Sequence, residues 1–344
     1  MRSSGKSPRA RKAGKEGLRV LFTCIGRRVE LLRAFRRAAK TLAIRFEVHG
    51  ADASRLSPAL HQVDKAHVLP PISAGDYTEA LFNLVRRMRI DLLIPLIDLE
   101  LPLVAAMADR LAGIGCCALI SSEAVVQTCR DKIATYRALK ASGIDTPATW
   151  MWSEVARRKR HRFPYFLKPR AGSAAMANYV VMNRDELHTL GKRVRDAIVQ
   201  EYVEGMEHTL DVYTGFDGKP RCVVPRRRLE VRSGEVSKGL IVKDPAIMAM
   251  GCRVAEMLGE CRGVITVQCI VTPDRRIRVI EINPRFGGGV PLAIHAGADF
   301  PKWILSELLG KRPRINPTGF RDDIAMLRFD DSVFVPNASK LTKR

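Results

Sequence analysis

The stretch VQCIVTPDRRIRVIEINPRFGGGVPLA, Val267 to Ala293, decides the reading of this chain. From Val264 to Arg285, apolar residues alternate with Gln268, Glu281, Asn283 and Arg285, and a Pro-Asp turn divides the segment, so it reads as a β-hairpin. Side chains two apart on a strand share a face. Glu281, Asn283 and Arg285 are therefore expected to project to one side, with Ile280 and Ile282 turned to the core. A hard divalent cation such as Mg²⁺ takes oxygen ligands and is usually held by one or two carboxylates together with substrate phosphates. Glu281 and the amide oxygens of Gln268 and Asn283 suit that task, and Arg285 suits an anionic phosphoryl group. The alternative is a solvated strand face followed by an ordinary Asn-Pro turn.

The wording of the segment resembles the metal-binding end of the ATP-grasp enzymes, most closely the large subunit of carbamoyl-phosphate synthase and its single-domain relatives. Gln268 stands where many ATP-grasp ligases carry an acidic residue, and Gln there followed by Glu-x-Asn-Pro-Arg is the carbamoyl-phosphate-synthase variant. The resemblance extends from about Asp131 to Gly310. It implies Gln268, Glu281 and Asn283 as ligands of Mg²⁺ or Mn²⁺, with Arg285 on the acyl phosphate. Three consecutive glycines, Gly287 to Gly289, depart from the synthases. They allow a backbone to approach a small substrate or phosphate closely and imply a different acceptor.

Upstream, DKIATYRALKASGIDTP resembles the family's Asp-Lys, helix, Gly-Ile, Thr-Pro run. The resemblance places Lys132 on the α-phosphate of ATP. A Lys opening a helix meets the positive end of the helix dipole and makes better sense if an anion shares the site. FPYFLKPRAGSAA then delivers Lys168 from a strand into a small-residue loop, resembling the second nucleotide-binding Lys and the phosphate-covering loop. The segment VQEYVEGME, by the same resemblance, sets Glu201, Tyr202 and Val203 against the adenine edge and Glu207 against the ribose hydroxyls. Between these parts lies PRRRLE. Arg226 and Arg228 share a strand face; if it is the inner one, both meet the reaction centre, and if not, the strand is a basic edge guarded against aggregation.

The N-terminal third alternates short apolar strands with amphipathic helices. Strands are expected at Leu18–Ile25, Arg45–Asp52, Ala66–Leu69, Asp91–Leu96 and Cys117–Ser121. Helices are expected after Gly26 with Val29, Leu32, Phe35 and Ala39 at helical spacing, at Tyr77–Met88 and at Leu101–Leu111. That order implies right-handed βαβ units in a parallel sheet, where ligands gather beyond the carboxyl ends of strands. Gly26-Arg27-Arg28, Asp52 and the pair Asp98 and Glu100 lie at such ends. No Gly-x-Gly-x-x-Gly marks a dinucleotide site.

Composition bounds the function classes. The chain has 344 residues, enough for one or two sizeable cores. Apolar runs such as Leu92–Ile97 are far too short to span a membrane. The first 17 residues carry six Lys or Arg against one Glu without an apolar stretch, and read as a disordered basic tail rather than a secretory signal, with an organelle-targeting or nucleic-acid-contacting arm as the alternative. Eight scattered cysteines without a Cys-x-x-Cys fit a reducing cytoplasm. A formal net charge of +22 predicts attraction to polyanions. Aromatics make up only 6% of residues and do not interleave with the Arg and Lys, so a base-stacking nucleic-acid surface is disfavoured.

The expected protein is α/β: a basic tail (1–17), an open parallel-sheet pre-ATP-grasp domain (18–121), an ATP-grasp domain (122–312, with 148–204 as its lid) and a C-terminal extension (313–344). The resemblance implies an ADP-forming ligase that activates a carboxylate with ATP and Mg²⁺ and joins it to an amine. Arg285, Arg226 and Arg228 are the expected catalytic residues. The partners are then a small carboxylate and an amine, with a homodimer left open. The alternatives are carboxyphosphate and carbamate kinase chemistry, or a basic nucleic-acid-binding protein on a non-catalytic grasp fold.

Overall fold

The computed structural model describes residues 17–172, 177–232, 234–336 and 338–341. Most of the basic tail, and Ser173 to Ala175 of the expected phosphate loop, lie outside the described residues.

Five short strands form the first sheet: β1 (Leu18–Thr23), β2 (Phe46–Asp52), β3 (Lys65–Val68), β4 (Leu92–Pro95) and β5 (Cys117–Ala118). Their order is β3-β2-β1-β4-β5 and every pairing is parallel, as the alternating pattern predicts. The expected strand at Cys117–Ser121 is shorter than read, and the expected helix Leu101–Leu111 breaks at Met107 into two pieces, Leu101–Ala106 and Ala108–Gly113. The helix Val29–Thr41 buries Leu31, Leu32, Phe35, Ala38 and Ala39 on one stripe, the spacing of an amphipathic helix against a core. Asp52, at the end of β2, accepts from Gly26 N at 2.9 Å and from Ser54 N at 3.1 Å. Its carboxylate thus fixes the turn after β1, and Asp52 also lines a cavity at that end of the sheet. Glu100 is fully buried, accepts from the Thr23 and Tyr77 hydroxyls at 2.8 and 2.6 Å, and has its pKa raised by that burial.

A second sheet, order β6-β9-β7-β8, contains β6 (Thr149–Met151), β7 (Tyr165–Pro169), β8 (Tyr179–Val181) and β9 (Ala197–Glu201). The third and largest contains β10 (Met206–Thr214), β11 (Pro220–Arg232), β12 (Glu235–Ile241), β13 (Gly263–Val271), β14 (Ile277–Asn283) and β15 (Ala325–Leu327), in the order β14-β13-β10-β11-β12-β15. The helix Pro245–Leu258 covers one face of this sheet, burying Val254 and Ala255 against Leu210, Val212 and Ile265. The other face is left toward β7 and β9.

One continuous core ties the first sheet to the third. Phe22, Phe35 and Phe286 stack edge to face, with centroids 5.1 and 6.1 Å apart. The same cluster includes Val290, Phe300 and Ile304 of the C-terminal helices. Phe286 lies between Arg285 and the three glycines, so packing against the first domain holds that loop in place.

Gly251 sits where the covering helix meets β10 and β11, and a Cβ there would lie 2.6 Å from Val223 Cγ1. Gly251→Val should lower unfolding stability by about 2 kcal/mol, because overpacking outweighs the better helix propensity. Urea unfolding of the variant and parent measures it.

Candidate active site

β13 and β14 pair as the alternation predicts, with Gln268 directly opposite Glu281 and Thr266 opposite Asn283. The next pair is Cys269 with Val279, so Ile280 has no partner. This β-bulge inserts one extra residue and re-aims the side chains beside it. Ile280 and Glu281 both face the cleft, while Val279 and Ile282 are buried in the core. The expectation that Ile280 faces the core is corrected by the bulge.

The cleft has a volume of about 670 Å³ and gathers residues from strands of the second and third sheets and from the segments that follow β1 and β4 of the first. Lys168, Gln268, Glu281, Asn283, Arg285, Arg226, Arg228, Glu207 and the segment Glu201–Val203 all line it. Lys132 lines an adjoining cavity that shares Asp98, Glu281 and Asn283 with the cleft. Every expected site residue is thus brought to one region.

The amides at the metal end are oriented by neighbours. Asn283 Nδ2 donates to Glu281 Oε1 at 3.1 Å and Gln268 Nε2 donates to Glu207 Oε1 at 3.3 Å. With their N–H groups engaged, each amide retains its carbonyl oxygen as an acceptor. Among the described residues, no cluster of three or more His, Cys, Asp or Glu is arranged to hold a metal alone. One carboxylate and two amide oxygens are instead the partial oxygen set that suits Mg²⁺ completed by substrate phosphates.

Lys168 is buried and donates to Gln200 Oε1 at 3.1 Å; Gln200 Nε2 donates to Thr149 Oγ1 at 2.9 Å, and Thr149 donates to Pro147 O at 2.9 Å. Burial pushes the Lys168 pKa down to about 8, with Glu281 opposing and Lys132 adding to the fall. Lys132 opens its helix behind an Asp131 N-cap, and its Nζ donates to Gly172 O at 3.0 Å. Asp131 also holds Arg170, which depresses the carboxylate pKa. Lys132 therefore stands at the base of the loop that follows Lys168.

At the other end of β9, the Glu201 carboxylate accepts from Arg278 Nη1 and Nη2, both at 2.8 Å, and from Ala148 N at 3.2 Å. Its acceptor capacity is largely taken, which leaves the backbone of Glu201–Val203 to face a ligand. Glu207 has its pKa raised by burial, with Glu281 adding and Arg228 and Lys168 opposing. Arg228 Nε lies 3.2 Å from Glu207 Oε1.

Arg226 is 1% exposed and Asp211 is fully buried; Nε and Nη2 donate to the two Asp211 oxygens at 2.6 and 3.0 Å. Arg226 and Arg228 do share the cleft face, and both line it. Arg285 pairs with Asp98 at 2.6 Å. The sequence reading missed Gln200, Asp211 and Arg278, because their roles come from pairings between distant segments. It noted Asp98 only as an acid at a strand end. The glycine loop also differs from expectation: Cβ atoms at Gly288 and Gly289 would fall 2.7 Å from Arg28 Nη1 and 2.2 Å from Arg226 Nη1. The space the glycines open is occupied by the protein's own arginines.

Comparison with known proteins accords with this architecture. Residues 193–330 match a family described as ATP-grasp in the biosynthetic pathway with Ter operon, and residues 20–119 match the PylC-like N-terminal domain. The chain has the ATP-grasp fold. Among solved structures, the biotin carboxylase domain of Hydrogenobacter thermophilus 2-oxoglutarate carboxylase, bound to MgADP, ADP and bicarbonate, superposes with a TM-score of 0.72 at 16% identity, over 90% of this chain and 74% of that one. The L-amino acid ligase of Bacillus licheniformis gives 0.66 at 20% identity, covering 86% and 75%. The ADP complex of N5-carboxyaminoimidazole synthetase from Staphylococcus aureus gives 0.69 at 14%, covering 89% and 80%. By sequence, the D-alanine–D-alanine ligase of Bacillus anthracis is 26% identical over 111 residues, 29% of this chain. The chain spans about a third of the length of the curated relatives it matches, 34%. No helix of the described residues is long and apolar enough to cross a membrane.

The low Lys168 pKa would give binding of a polyphosphate in this cleft a pH dependence. A bound polyphosphate favours the charged ammonium, so its affinity should be full below about pH 8, where Lys168 is protonated in the free protein. Above that pH it should fall by up to about tenfold per unit, because binding must then take up a proton. Calorimetric titration with ADP at pH 7, 8 and 9 tests this, and Lys168→Arg should flatten the profile.

Proposed function

We propose that the protein is an ADP-forming ligase that activates a carboxylate with ATP and joins it to an amine. The observation that carries this reading is the convergence of Gln268, Glu281 and Asn283 on one side of the hairpin, with buried Lys168 and Asp98-held Arg285 in the same cleft. We assign residues 18–121 to the pre-grasp domain and 122–312 to the grasp domain, with 148–204 as its lid.

The nucleotide lies between the second and third sheets. Phe166, Ile270 and Ile280 offer apolar surfaces to its base, the backbone of Glu201–Val203 offers polar groups to the base edge, and Glu207 accepts the ribose hydroxyls. Lys168 and Lys132 hold phosphates. Gln268, Glu281 and Asn283 would hold Mg²⁺ or Mn²⁺, which would neutralise charge on the phosphates. A carboxylate oxygen of the substrate attacks the γ-phosphorus, the bond to the β,γ-bridging oxygen breaks, and ADP leaves. Arg285 stabilises the acyl phosphate, since positioning and electrostatics supply most of phosphoryl-transfer catalysis. The amine nitrogen then attacks the acyl carbon, phosphate leaves, and the nitrogen loses a proton.

Glu281 is the single carboxylate of the proposed metal set. Glu281→Gln should lower carboxylate- and amine-dependent ADP release by on the order of a hundredfold, with the thermal transition unchanged. A variant keeping more than about half of the parent rate would remove Glu281 from the metal set.

A further inference from the structure

Beyond the nucleotide, the cleft ends at the Gly287–Gly289 loop, where arginine side chains converge. Arg28, Arg226 and Arg285 line this end of the cleft, with Arg27 and Arg328 beside it; among the described residues the five are ion-paired with three carboxylates, Glu235, Asp98 and Asp211. Glu235 alone faces three of them: Arg28 at 2.9 Å, Arg328 at 3.5 Å and Arg27 at 3.8 Å. Asp211 engages Nε and Nη2 of Arg226 but leaves Nη1, which is buried without a hydrogen-bond partner. Burial depresses the Arg28 pKa; Glu235 opposes this, and Arg285, Arg328 and Arg27 add to it.

The geometry also sets a spacing. Arg226 Nη1 abuts the Cβ position of Gly289, and Arg28 Nη1 abuts that of Gly288. Adjacent Cα atoms are about 3.8 Å apart and both arginines line the cleft, so both tips meet the same short stretch of the loop. An uncompensated guanidinium away from water costs free energy unless a partner supplies charge. Surplus cations lining a cleft therefore select an anion.

We propose that the carboxylate substrate carries a second anionic group, a carboxylate or a phosphate, held by Arg28 and Arg226 at the glycine loop while the first is presented to the γ-phosphate. The second anion brings the local charge close to balance and gives Arg226 Nη1 its acceptor. This rests on the ligase reading for the chemistry at the first carboxylate, but not for binding of the dianion.

The test is a calorimetric titration of the full-length protein without nucleotide, using propionate, glutarate and 3-phosphoglycerate as probes. The expected result is at least one dianion binding tenfold or more tightly than propionate, and the better of the two distinguishes a carboxylate from a phosphate site. Arg28→Gln should reduce dianion affinity by about tenfold and leave propionate unchanged. Glu235→Gln, which removes a competing carboxylate, should strengthen dianion binding, so the two variants move in opposite directions and a folding defect cannot mimic both. Equal affinity for propionate and both dianions, no binding of any probe, or weakening in both variants would overturn the proposal. Tight, Arg28-dependent dianion binding without ADP release in any amine pool would leave this site standing and remove the ligase reading. Release driven equally by monocarboxylates would do the reverse.

Discussion

The buried pair of Arg226 and Asp211 constrains the cleft more than any other interaction. Removing one partner from such a pair leaves an isolated buried charge and typically costs about 3–5 kcal/mol. The pair lies diagonally across two antiparallel strands, because Arg226 stands opposite Thr209 and Asp211 opposite Val224. A one-residue slip of β11 would send the guanidinium to the covering helix and leave Asp211 unpaired. The pair therefore fixes the register of the strands that also carry Glu207, Thr209 and Arg228. It also dictates the glycine at position 289, where a side chain would collide with Nη1.

That constraint continues into the first domain through the loop after Asn283. Thr266 Oγ1 donates to Arg285 O at 2.9 Å, Arg285 pairs with Asp98 beyond β4, and Phe286 packs on Phe35. A polar anchor and an aromatic anchor on neighbouring residues leave the loop little freedom. The parallel sheet thus does more than cover one end of the cleft. Its β4 loop supplies the carboxylate that orients Arg285, and the N-cap of its first helix is Arg28.

Much of this was legible in the sequence because it depends on local periodicity. The period-two pattern around Glu281 gave the hairpin, the strand and helix alternation gave the parallel order, and Arg226 and Arg228 fell on one face by spacing alone. What was not legible depends on register and on distant pairing. Ile280 turns toward the cleft because β14 bulges there, and no property of isoleucine announces a bulge. Glu201 is engaged by Arg278, 77 residues away, and Arg285 by Asp98, 187 residues away. Composition offers many candidate partners for each of these charges. The fold chooses among them.

The same distinction governs the net charge of +22. Spread over exposed side chains, such charge is screened beyond about 8 Å at physiological salt. It attracts anions in general, ATP among them, without choosing any. Selection requires charges whose solvent has been removed and whose neighbours hold them still. Exposed Arg232 with Asp330, or Arg110 with Glu79, satisfy each other at the surface and contribute little. Lys168 and Arg226, both buried, and half-buried Arg28 differ in lining a common space, with fewer carboxylates beside the arginines than they need. A small imbalance in a desolvated cleft therefore says more about the ligand than the large imbalance of the whole chain.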